Sequence, residues 1–399
     1  MLTHASWLAT LDMYERRLEL GDDVVILLFL PLAHALARIT QLLTVDIGGT
    51  LAFWSGNPAH LLGDIARAQP THVPSVPRVF EKIHTKATAA VQDAGGVRRR
   101  LFDWAMVVGR RAREAERAGG ASPPLRVAHA LADRLVLSKV RGLFGGRIEL
   151  ALTGAAPIGR EVLEFFDACG VLVVEGYGMT ETCAAATLNT PDAFRFGSVG
   201  RALPGTDVAV APDGEILMRG PHVFKGYYRD DEATQEALAP DGWLRSGDLG
   251  AVDADGFVHI TGRKKDLIIT SSGKNITPSN LESALRESRW VSQAVVFGDR
   301  RPYLVALLTL DAEEAPALAA ELGIAPDVAA MARDDRVHAA LAEHVDAVNA
   351  RFARIEQIKR FAILTRDLSQ AAGELTPTLK VKRAIIYERY RHDFDAQYA

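Results

Sequence analysis

The chain has 399 residues, 48% of them hydrophobic and 24% charged, with a formal net charge of -4. This length exceeds what one hydrophobic core usually serves, so we expect two domains. The slightly acidic balance excludes an overall positive field for nucleic acid. The two cysteines, Cys169 and Cys183, lack disulfide-framework or zinc-site spacing, which fits a reducing, cytoplasmic setting.

The first 150 residues alternate between strand and helix patterns. Asp12 and Glu15 interrupt the segment where a signal peptide would need an apolar core. The apolar run 24–33 is too short to cross a membrane and predicts a buried strand followed by a helix. We further predict a strand at 50–54, a helix at 58–68 and mostly helix over 73–141, with a break at 119–124.

Residues 148–175 read as strand, glycine turn, helix and buried strand, a pattern typical of a parallel sheet. After 197, short strands at 207–211, 214–219, 249–252 and 257–261 alternate with Asp-Gly turns, which predicts antiparallel, barrel-like structure. From 263 onward we predict a smaller α+β domain with strands at 267–270, 293–298 and 303–310, and helices at 279–287 and 312–355. The predicted domains are therefore 1–262, with 198–262 as the barrel-like part, and 263–399.

The segment 175–182 carries the strongest chemical signal. A buried strand runs into Gly176 and Gly178, which let a nucleotide approach the backbone closely. Thr180 can hydrogen-bond a phosphate oxygen, and Glu181 can hold a magnesium ion. The alternative is a tight strand–helix turn with a capping threonine.

This segment resembles the strand-end motif of the adenylate-forming enzymes, which include acyl-CoA synthetases, luciferases and adenylation domains. Segments 154–157, 242–248, 255–266 and 374–380 resemble further motifs in the family's order. The resemblance implies an α/β fold: a large N-terminal domain of parallel-sheet layers plus a distorted β-barrel, and a smaller α+β C-terminal domain.

The resemblance also implies a nucleotide site. Gly154, Ala155 and Ala156 would pack against adenine, and Gly176, Tyr177 and Gly178 would line the nucleotide. Asp248 would hold the ribose hydroxyls, and Arg263 would pair with ribose or phosphate oxygens. Asp248 could instead be a turn residue, and Arg263 could form a surface ion pair with Asp266.

Two lysines receive roles from the same comparison. Lys265 aligns with the family's hinge, where a backbone rotation swings the small domain. Lys380 would be the catalytic lysine, which meets the charge developing between carboxylate and α-phosphate. The alternative for Lys380 is a solvated basic cluster with Lys382 and Arg383.

Two segments would serve the acyl and CoA substrates. His34 resembles the histidine near the acyl pocket, although a histidine beside apolar residues is also a common structural residue. Gly273 and Lys274 resemble the loop that lines the pantetheine tunnel, and a plain hairpin loop is the alternative.

The form of the 374–380 motif and the helical insert at 79–141 resemble long-chain fatty-acid synthetases. The implied reaction uses ATP, Mg²⁺ and CoA to convert a fatty acid into acyl-CoA through an acyl-adenylate. Two rivals remain: an acyl-AMP ligase that loads a carrier protein, and a non-catalytic remnant that binds nucleotide, acyl ligand or a partner chain. Peripheral membrane contact stays open, as do acyl chain length and oligomeric state.

The family's phosphate-binding loop, a Ser/Thr/Gly-rich run ending in Pro-Lys-Gly, is not found in the sequence. Residues 1–4 resemble the segment that follows this loop. We therefore expect an N-terminally truncated or split synthetase, with weak adenylation unless a separate N-terminal fragment supplies the loop.

Overall fold

The structure, a computed structural model, describes residues 1–57, 60–92, 95–154, 156–376 and 379–399. The chain divides into two units, Met1–Ile260 and Thr261–Ala399. Helices of the first unit are α1 His4–Glu15, α2 Ala35–Asp46, α3 Leu61–Ala68, α4 Pro77–Gln92, α5 Gly96–Arg117, α6 Pro123–Ala132, α7 Ser138–Gly142, α8 Arg160–Ala168 and α9 Asp231–Ala237. Its strands are β1 Val25–Leu28, β2 Thr50–Phe53, β3 His72–Ser75, β4 Leu150–Thr153, β5 Leu172–Met179, β6 Ala184–Leu188, β7 Arg201–Ala202, β8 Asp207–Val210, β9 Glu215–Arg219, β10 Leu244–Val252 and β11 Val258–Arg263, which crosses into the second unit.

The main sheet of the described chain has the order β2-β1-β3-β4-β5-β6-β7. Its pairings from β2 to β5 are parallel, which confirms the predicted parallel sheet. Strand β5 then continues past β4 and pairs antiparallel with β6. The carboxyl ends of β3, β4 and β5 therefore lie together at one edge, where parallel sheets place their ligands.

Helices cover both faces of this sheet. On one face, the rings of Phe80, Phe144 and Phe166 are fully buried, with centroids 5.7–6.4 Å apart. Each contributes roughly 1.5–3 kcal/mol through burial. On the other face, helices α1 and α2 supply Leu11 and Ile39 to a second apolar cluster. The layered α/β prediction is confirmed.

Strands β8 to β11 form the antiparallel sheet predicted after residue 197, in the order β11-β10-β9-β8 within the described chain. Its buried face includes Ile216, Met218 and Leu244. The predicted turn at Asp213-Gly214 connects β8 to β9, with Gly214 at φ 86°.

In the second unit, β14 Val291–Phe297, β15 Leu304–Leu310 and β16 Ile358–Leu364 form a sheet in which β14 is antiparallel and β16 parallel to β15. The hairpin β12 Ile268–Ile269 and β13 Asn275–Ile276 precedes them. Helices of this unit are α10 Pro278–Leu285, α11 Ala315–Leu322, α12 Val328–Met331, α13 Asp335–Asn349, α14 Arg383–Arg389 and α15 Arg391–Ala396.

Among the described residues, no helix is both long and apolar enough to cross a membrane.

Several element boundaries were predicted wrongly. Strand β3 lies at the start of the stretch predicted as helix, because pairing with β1 and β4 outweighs a weak local pattern that contains Pro74. The helix predicted over 312–355 is three helices, since Gly323 ends α11 in a left-handed conformation and Asp327 and Asp334 cap α12 and α13. The helix predicted from residue 58 begins at Leu61, and its first two predicted residues lie outside the described chain.

Candidate active site

Two glycine turns predicted separately in the sequence meet at the carboxyl edge of the main sheet. Thr153 at the end of β4 is in register with Glu175 in β5, so Gly154 and Gly176 follow side by side. A Cβ built on Gly154 would lie 3.3 Å from the carbonyl oxygen of Gly176. Ala156 is half-buried, and Ala155 lies outside the described residues. The structure therefore brings the first two predicted nucleotide motifs together.

Gly178 has a structural reason besides the predicted approach of a nucleotide, which stays a prediction. A Cβ at this position would lie 1.8 Å from the carbonyl oxygen of Ala184, in the neighbouring strand β6. The close approach at Gly178 is therefore to the protein's own backbone.

Asp248 is held by a tyrosine from the strand-end motif. The Tyr177 phenol donates a hydrogen bond to Asp248 Oδ2 at 2.8 Å. Asp248 lies where the pairing of β10 with β9 is irregular, between Arg245 and Leu249. Its own N–H donates to Ser246 Oγ at 3.0 Å, so backbone and side chain are both fixed. The turn reading of Asp248 and the ribose-binding reading are compatible with this geometry.

Glu181 is oriented by a second tyrosine, which sequence reasoning missed. Tyr227 donates its phenol hydrogen to Glu181 Oε1 at 2.7 Å, and the N–H of Phe224 donates to the Glu181 carbonyl at 2.7 Å. The Phe224 and Tyr227 rings pack edge to face at 4.9 Å. The aromatic pair at 227–228 was the only signal in the sequence, and nothing in its spacing connected it to Glu181.

The turn that carries Glu181 is capped by Thr182. Its hydroxyl accepts from the N–H of Met179 at 3.0 Å, so the predicted capping threonine is Thr182. Thr180 is exposed, and its hydroxyl makes no hydrogen bond to any described residue. Cys183 and Ala184, directly after the turn, have φ of 51° and 99°. Backbone strain of this kind in non-glycine residues clusters at functional sites.

The donor set around Glu181 suits one kind of metal. No group of three or more metal-ligating His, Cys, Asp or Glu residues occurs in the described parts of the chain. A single oriented carboxylate matches Mg²⁺, which usually keeps water ligands and binds substrate phosphates with one or two protein carboxylates. The residues present therefore fit a magnesium ion that arrives with a nucleotide.

A buried polar row lies beside the glycine turns. Ser75, Thr153 and Glu175 are in register across β3, β4 and β5. The hydroxyls of Ser75 and Thr153 are buried with no hydrogen-bond partner among the described residues. Burial raises the pKa of Glu175 to about 7, although a hydrogen bond from the Gly197 N–H opposes the shift. Sequence reasoning missed this row because register across strands is not visible in one sequence.

His34 lies at the start of α2. Its Nδ1 accepts a hydrogen bond from the N–H of Leu36 at 3.4 Å, which makes His34 the N-cap of the helix. Three side chains that follow it on α2 line an apolar pocket together with residues of α1, β3 and β4: Leu36, Ile39 and Leu43. The structural role of His34 is visible; the acyl role stays a prediction.

The predicted hinge segment forms an ion pair with helix α14 within the second unit. Arg263 is exposed at the end of β11, and Lys265 is exposed in a short turn, Lys264–Asp266. Asp266 pairs with Arg383 Nε at 3.8 Å. Arg383 also donates to both oxygens of Glu282, at 2.7 and 2.8 Å. Arg383, whose side chain is 16% exposed, is therefore a largely buried structural cation, which corrects the alternative that placed it in a solvated basic cluster.

Gly273 and Lys274 lie in the turn between β12 and β13. Both are exposed, and Gly273 has φ 75°. The Thr270 N–H donates to the Lys274 carbonyl at 3.0 Å, which closes the hairpin.

The loop that carries Lys380 is anchored by Glu374. The carboxylate is fully buried and accepts from Arg366, Arg389, Tyr390 and the Ser369 N–H, at 2.7–3.0 Å. Arg366 is the main cause that lowers the pKa of Glu374 to about 2. The Glu374 carbonyl accepts from the Lys382 N–H at 2.8 Å, and the Thr376 N–H donates to the Lys380 carbonyl at 2.8 Å. Lys380 is exposed; Pro377 and Thr378 lie outside the described residues.

The structure thus places the predicted residues in two sets. Within the first unit, Gly154, Gly176, Tyr177 and Asp248 are joined by register or hydrogen bonds, and Glu181 follows on the same strand-end turn. Arg263, Lys265, Gly273, Lys274 and Lys380 belong to the second unit, each on its own turn or strand end.

Comparisons with known proteins bear on this arrangement. The family described as AMP-binding enzyme matches residues 1–228, and its C-terminal domain matches residues 265–399. The long-chain-fatty-acid–CoA ligase FadD15 of Mycobacterium tuberculosis is 40% identical over 375 residues, which is 94% of this chain and 62% of FadD15. The long-chain-fatty-acid–CoA ligase ACSBG2 of Xenopus laevis is 34% identical over 100% of this chain and 58% of its own length. The chain spans less than two thirds of the length of these curated relatives.

Among solved structures, the adenylation domain of a carboxylate reductase from Mycobacterium chelonae aligns with a TM-score of 0.76 and 22% identity, over 98% of this chain and 56% of that one. At this identity the likeness shows the fold alone, and that fold is the adenylate-forming one. With the two family matches, which together reach from residue 1 to residue 399, it follows that the chain belongs to the AMP-binding enzyme family.

Proposed function

We propose that the protein makes long-chain fatty acyl-CoA from a fatty acid, ATP and CoA by way of an acyl-adenylate. The observation that carries the proposal is the hydrogen bond from Tyr177 to Asp248, which joins the strand-end motif to an acidic residue 71 positions further along the chain. The names of the relatives, which are long-chain-fatty-acid–CoA ligases, support the acyl substrate.

The proposal gives each predicted nucleotide-site motif of the first unit a role. Asp248, oriented by Tyr177, accepts hydrogen bonds from the two ribose hydroxyls. Gly154, Ala155 and Ala156 pack against the adenine, and the exposed Thr180 hydroxyl donates to a phosphate oxygen. Magnesium, when bound with the triphosphate, neutralises phosphate charge, and Glu181 is the carboxylate that would hold it.

In the second unit, the Lys380 ammonium supplies positive charge to the pentavalent transition state at the α-phosphate. The fatty-acid carboxylate attacks that phosphorus, pyrophosphate leaves, and the CoA thiol later attacks the acyl carbonyl to release AMP. Arg263 binds ribose or phosphate oxygens, and Gly273 and Lys274 border the pantetheine path. Lys265 is the proposed hinge, whose φ and ψ change between the two steps.

The acyl chain has a candidate pocket. The pocket beside α2 is lined almost wholly by apolar side chains, including Leu36, Ile39 and Leu43. Leu36 is two residues after His34, the residue predicted to lie near the acyl group. An alkyl chain gains about 0.8 kcal/mol for each buried methylene, so this lining favours an alkyl group over a polar one.

The two steps can be assayed separately. Adenylation is measured as exchange of labelled pyrophosphate into ATP with palmitate, and thioester formation as palmitoyl-CoA. We expect Lys380→Ala to lower pyrophosphate exchange about 100-fold or more, as for loss of one transition-state charge contact. Lys382→Ala is the matched control, because Lys382 is an exposed lysine two residues away. Equal losses in both variants, or exchange unaffected by Lys380→Ala, would remove the catalytic role of Lys380.

The hinge has its own test. Lys265→Pro restricts φ, so we expect thioester formation to fall while pyrophosphate exchange persists. Lys265→Ala keeps backbone freedom and should retain both activities. If Pro and Ala behave alike, residue 265 is not the hinge.

The acyl pocket is tested by filling it. Ile39 is buried in the pocket, whereas Val45, on the same helix, is 69% exposed. We expect Ile39→Trp to lower kcat/KM for palmitate about tenfold or more, while octanoate is affected less, because the chain end is displaced first. Val45→Trp is the control. An unchanged preference in Ile39→Trp would place the acyl chain elsewhere.

The two rival functions give different results in these assays. An acyl-AMP ligase exchanges pyrophosphate but transfers the acyl group to a carrier protein and not to CoA. A non-catalytic remnant binds AMP or palmitate without exchange. Because the sequence contains no Pro-Lys-Gly phosphate loop, we expect slow adenylation by this chain alone, and faster exchange when a fragment with that loop is added.

A further inference from the structure

Helix α5 exposes an apolar and basic strip that the proposed reaction does not use. Its inner face is buried through Ala105, Val108, Gly109 and Ala112. The strip on an outward face repeats at helical spacing of three and four residues: Val97, Arg100, Trp104, Val107 and Arg111. Val97 is 80% exposed, Val107 48% and Trp104 36%.

The neighbouring helix adds a second strip. Helix α6 packs against α5. Val127, Leu131 and Leu135 follow one another at spacing of four residues along α6 and the turn after it, and are 72%, 51% and 37% exposed. Six of the sixteen exposed large apolar side chains of the described chain therefore lie between residues 97 and 135. Monomeric soluble proteins rarely expose apolar side chains at this density.

The charge of this segment is opposite to that of the whole chain. Residues 97–135 contain nine arginines and four carboxylates, whereas the whole chain has a net charge of -4. Seven of these arginines are exposed and form no ion pair with any described residue: Arg98, Arg99, Arg100, Arg110, Arg111, Arg126 and Arg134.

We propose that the α5–α6 surface docks on an anionic lipid bilayer. Apolar side chains next to unpaired arginines are the combination that binds such an interface, since the apolar groups enter the acyl boundary and the cations meet lipid phosphates. A symmetric contact between two copies would bring two copies of the same basic surface together, and like charges repel. The proposal stands on this surface alone and does not depend on the ligase reaction.

The first test is co-sedimentation of the whole protein with vesicles. We expect binding to phosphatidylglycerol-rich vesicles, weak binding to pure phosphatidylcholine, and loss of binding as salt is raised. The double variant Arg100→Glu, Arg111→Glu should bind anionic vesicles at least about 30-fold more weakly than the wild type. The matched control is Arg333→Glu with Arg354→Glu, two exposed arginines of the second unit, which changes the net charge equally and should bind as the wild type does.

The second test isolates the apolar contribution. Brominated phosphatidylglycerol should quench Trp104, so the quenching should be smaller in Trp104→Phe. The double variant Trp104→Ser, Val107→Ser should bind anionic vesicles more weakly although its net charge is unchanged. Both side chains are exposed, so the fold should tolerate the change. Three results would overturn the proposal. The first is that the wild type does not bind anionic vesicles at low salt, and the second is that the Arg333 and Arg354 control loses as much binding as the Arg100 and Arg111 variant. The third is that the strip makes the protein dimerise.

Discussion

The buried carboxylate Glu374 should decide the stability of the C-terminal part of the second unit. It accepts two hydrogen bonds from Arg366 and one from Arg389, and its carbonyl holds the Lys382 N–H. Glu374→Gln removes the negative charge but keeps the shape. We therefore expect the contacts from both guanidinium groups to weaken at once, and the loop that carries Lys380 to loosen.

The size of the effect follows from the pKa of Glu374, which is lowered from 4.5 to about 2. That difference corresponds to about 3 kcal/mol at neutral pH. Because Arg366 and Arg389 are 49% and 42% exposed, solvent screening reduces the expected loss to about 2 kcal/mol. The folded pKa is the lower one, so this stabilisation is complete above pH 4.5 and is lost as the pH falls toward 2.

Hydrogen exchange measured by mass spectrometry suits a chain of two units, because one denaturation midpoint would mix them. The amides of Thr376 and Lys382, bonded within the loop, should exchange about 30-fold faster in Glu374→Gln at pH 7. The difference in exchange rate from the wild type should shrink at pH 3. The control is Glu388→Gln, which changes an exposed carboxylate on α14. Unchanged exchange at Lys382, or a difference that grows at low pH, would refute the reasoning.

Three further predictions concern the first unit. Tyr177→Phe should weaken AMP binding about three- to tenfold in calorimetry by releasing Asp248, with little change in stability; an unchanged affinity would contradict the ribose role. Gly178→Ala should destabilise the unit by about 1–3 kcal/mol in urea, because a Cβ would meet backbone 1.8 Å away, whereas Gly63→Ala, in a helix with open space, should be neutral or stabilising. His222 is fully buried, and burial lowers its pKa to about 4. The free energy of unfolding should therefore fall by up to about 3 kcal/mol as the pH drops from 6.5 to 4, and His222→Asn should flatten this dependence. A wild-type stability curve that is flat over that pH range would contradict the prediction.

The main sheet could be predicted from the sequence where a strand and its crossover helix share one strong local pattern. Residues 148–175 gave both strands and the helix between them, because buried parallel strands are continuously apolar and end at glycine turns. Strand β3 and strand β16 could not be predicted. Their sequences, His72–Ser75 with an internal proline and Ile358–Leu364 with two adjacent basic residues, become strands only through pairing with neighbours that are distant in the chain.

In the candidate site, too, the residues with a strong local pattern could be predicted and the others could not. Glycine, carboxylate and lysine motifs carry their chemistry in residue type and spacing, so Gly154, Glu181, Asp248 and Lys380 could be singled out. The groups that orient them could not. Tyr227 lies 46 residues from Glu181, and its phenol has the same local context as any exposed aromatic run.

Glu181, the carboxylate proposed to hold magnesium, is oriented by the phenol of Tyr227. A guanidinium partner would neutralise Glu181 and compete with the magnesium ion that it is proposed to bind. A phenol donates one hydrogen bond, fixes the carboxylate and leaves its negative charge and the remaining lone pairs available. Glu374, which binds no substrate in the proposal, shows the opposite arrangement, with two arginines closing off its carboxylate. Orientation without neutralisation therefore distinguishes Glu181, which is proposed to hold the metal, from Glu374, whose proposed role is to stabilise the fold.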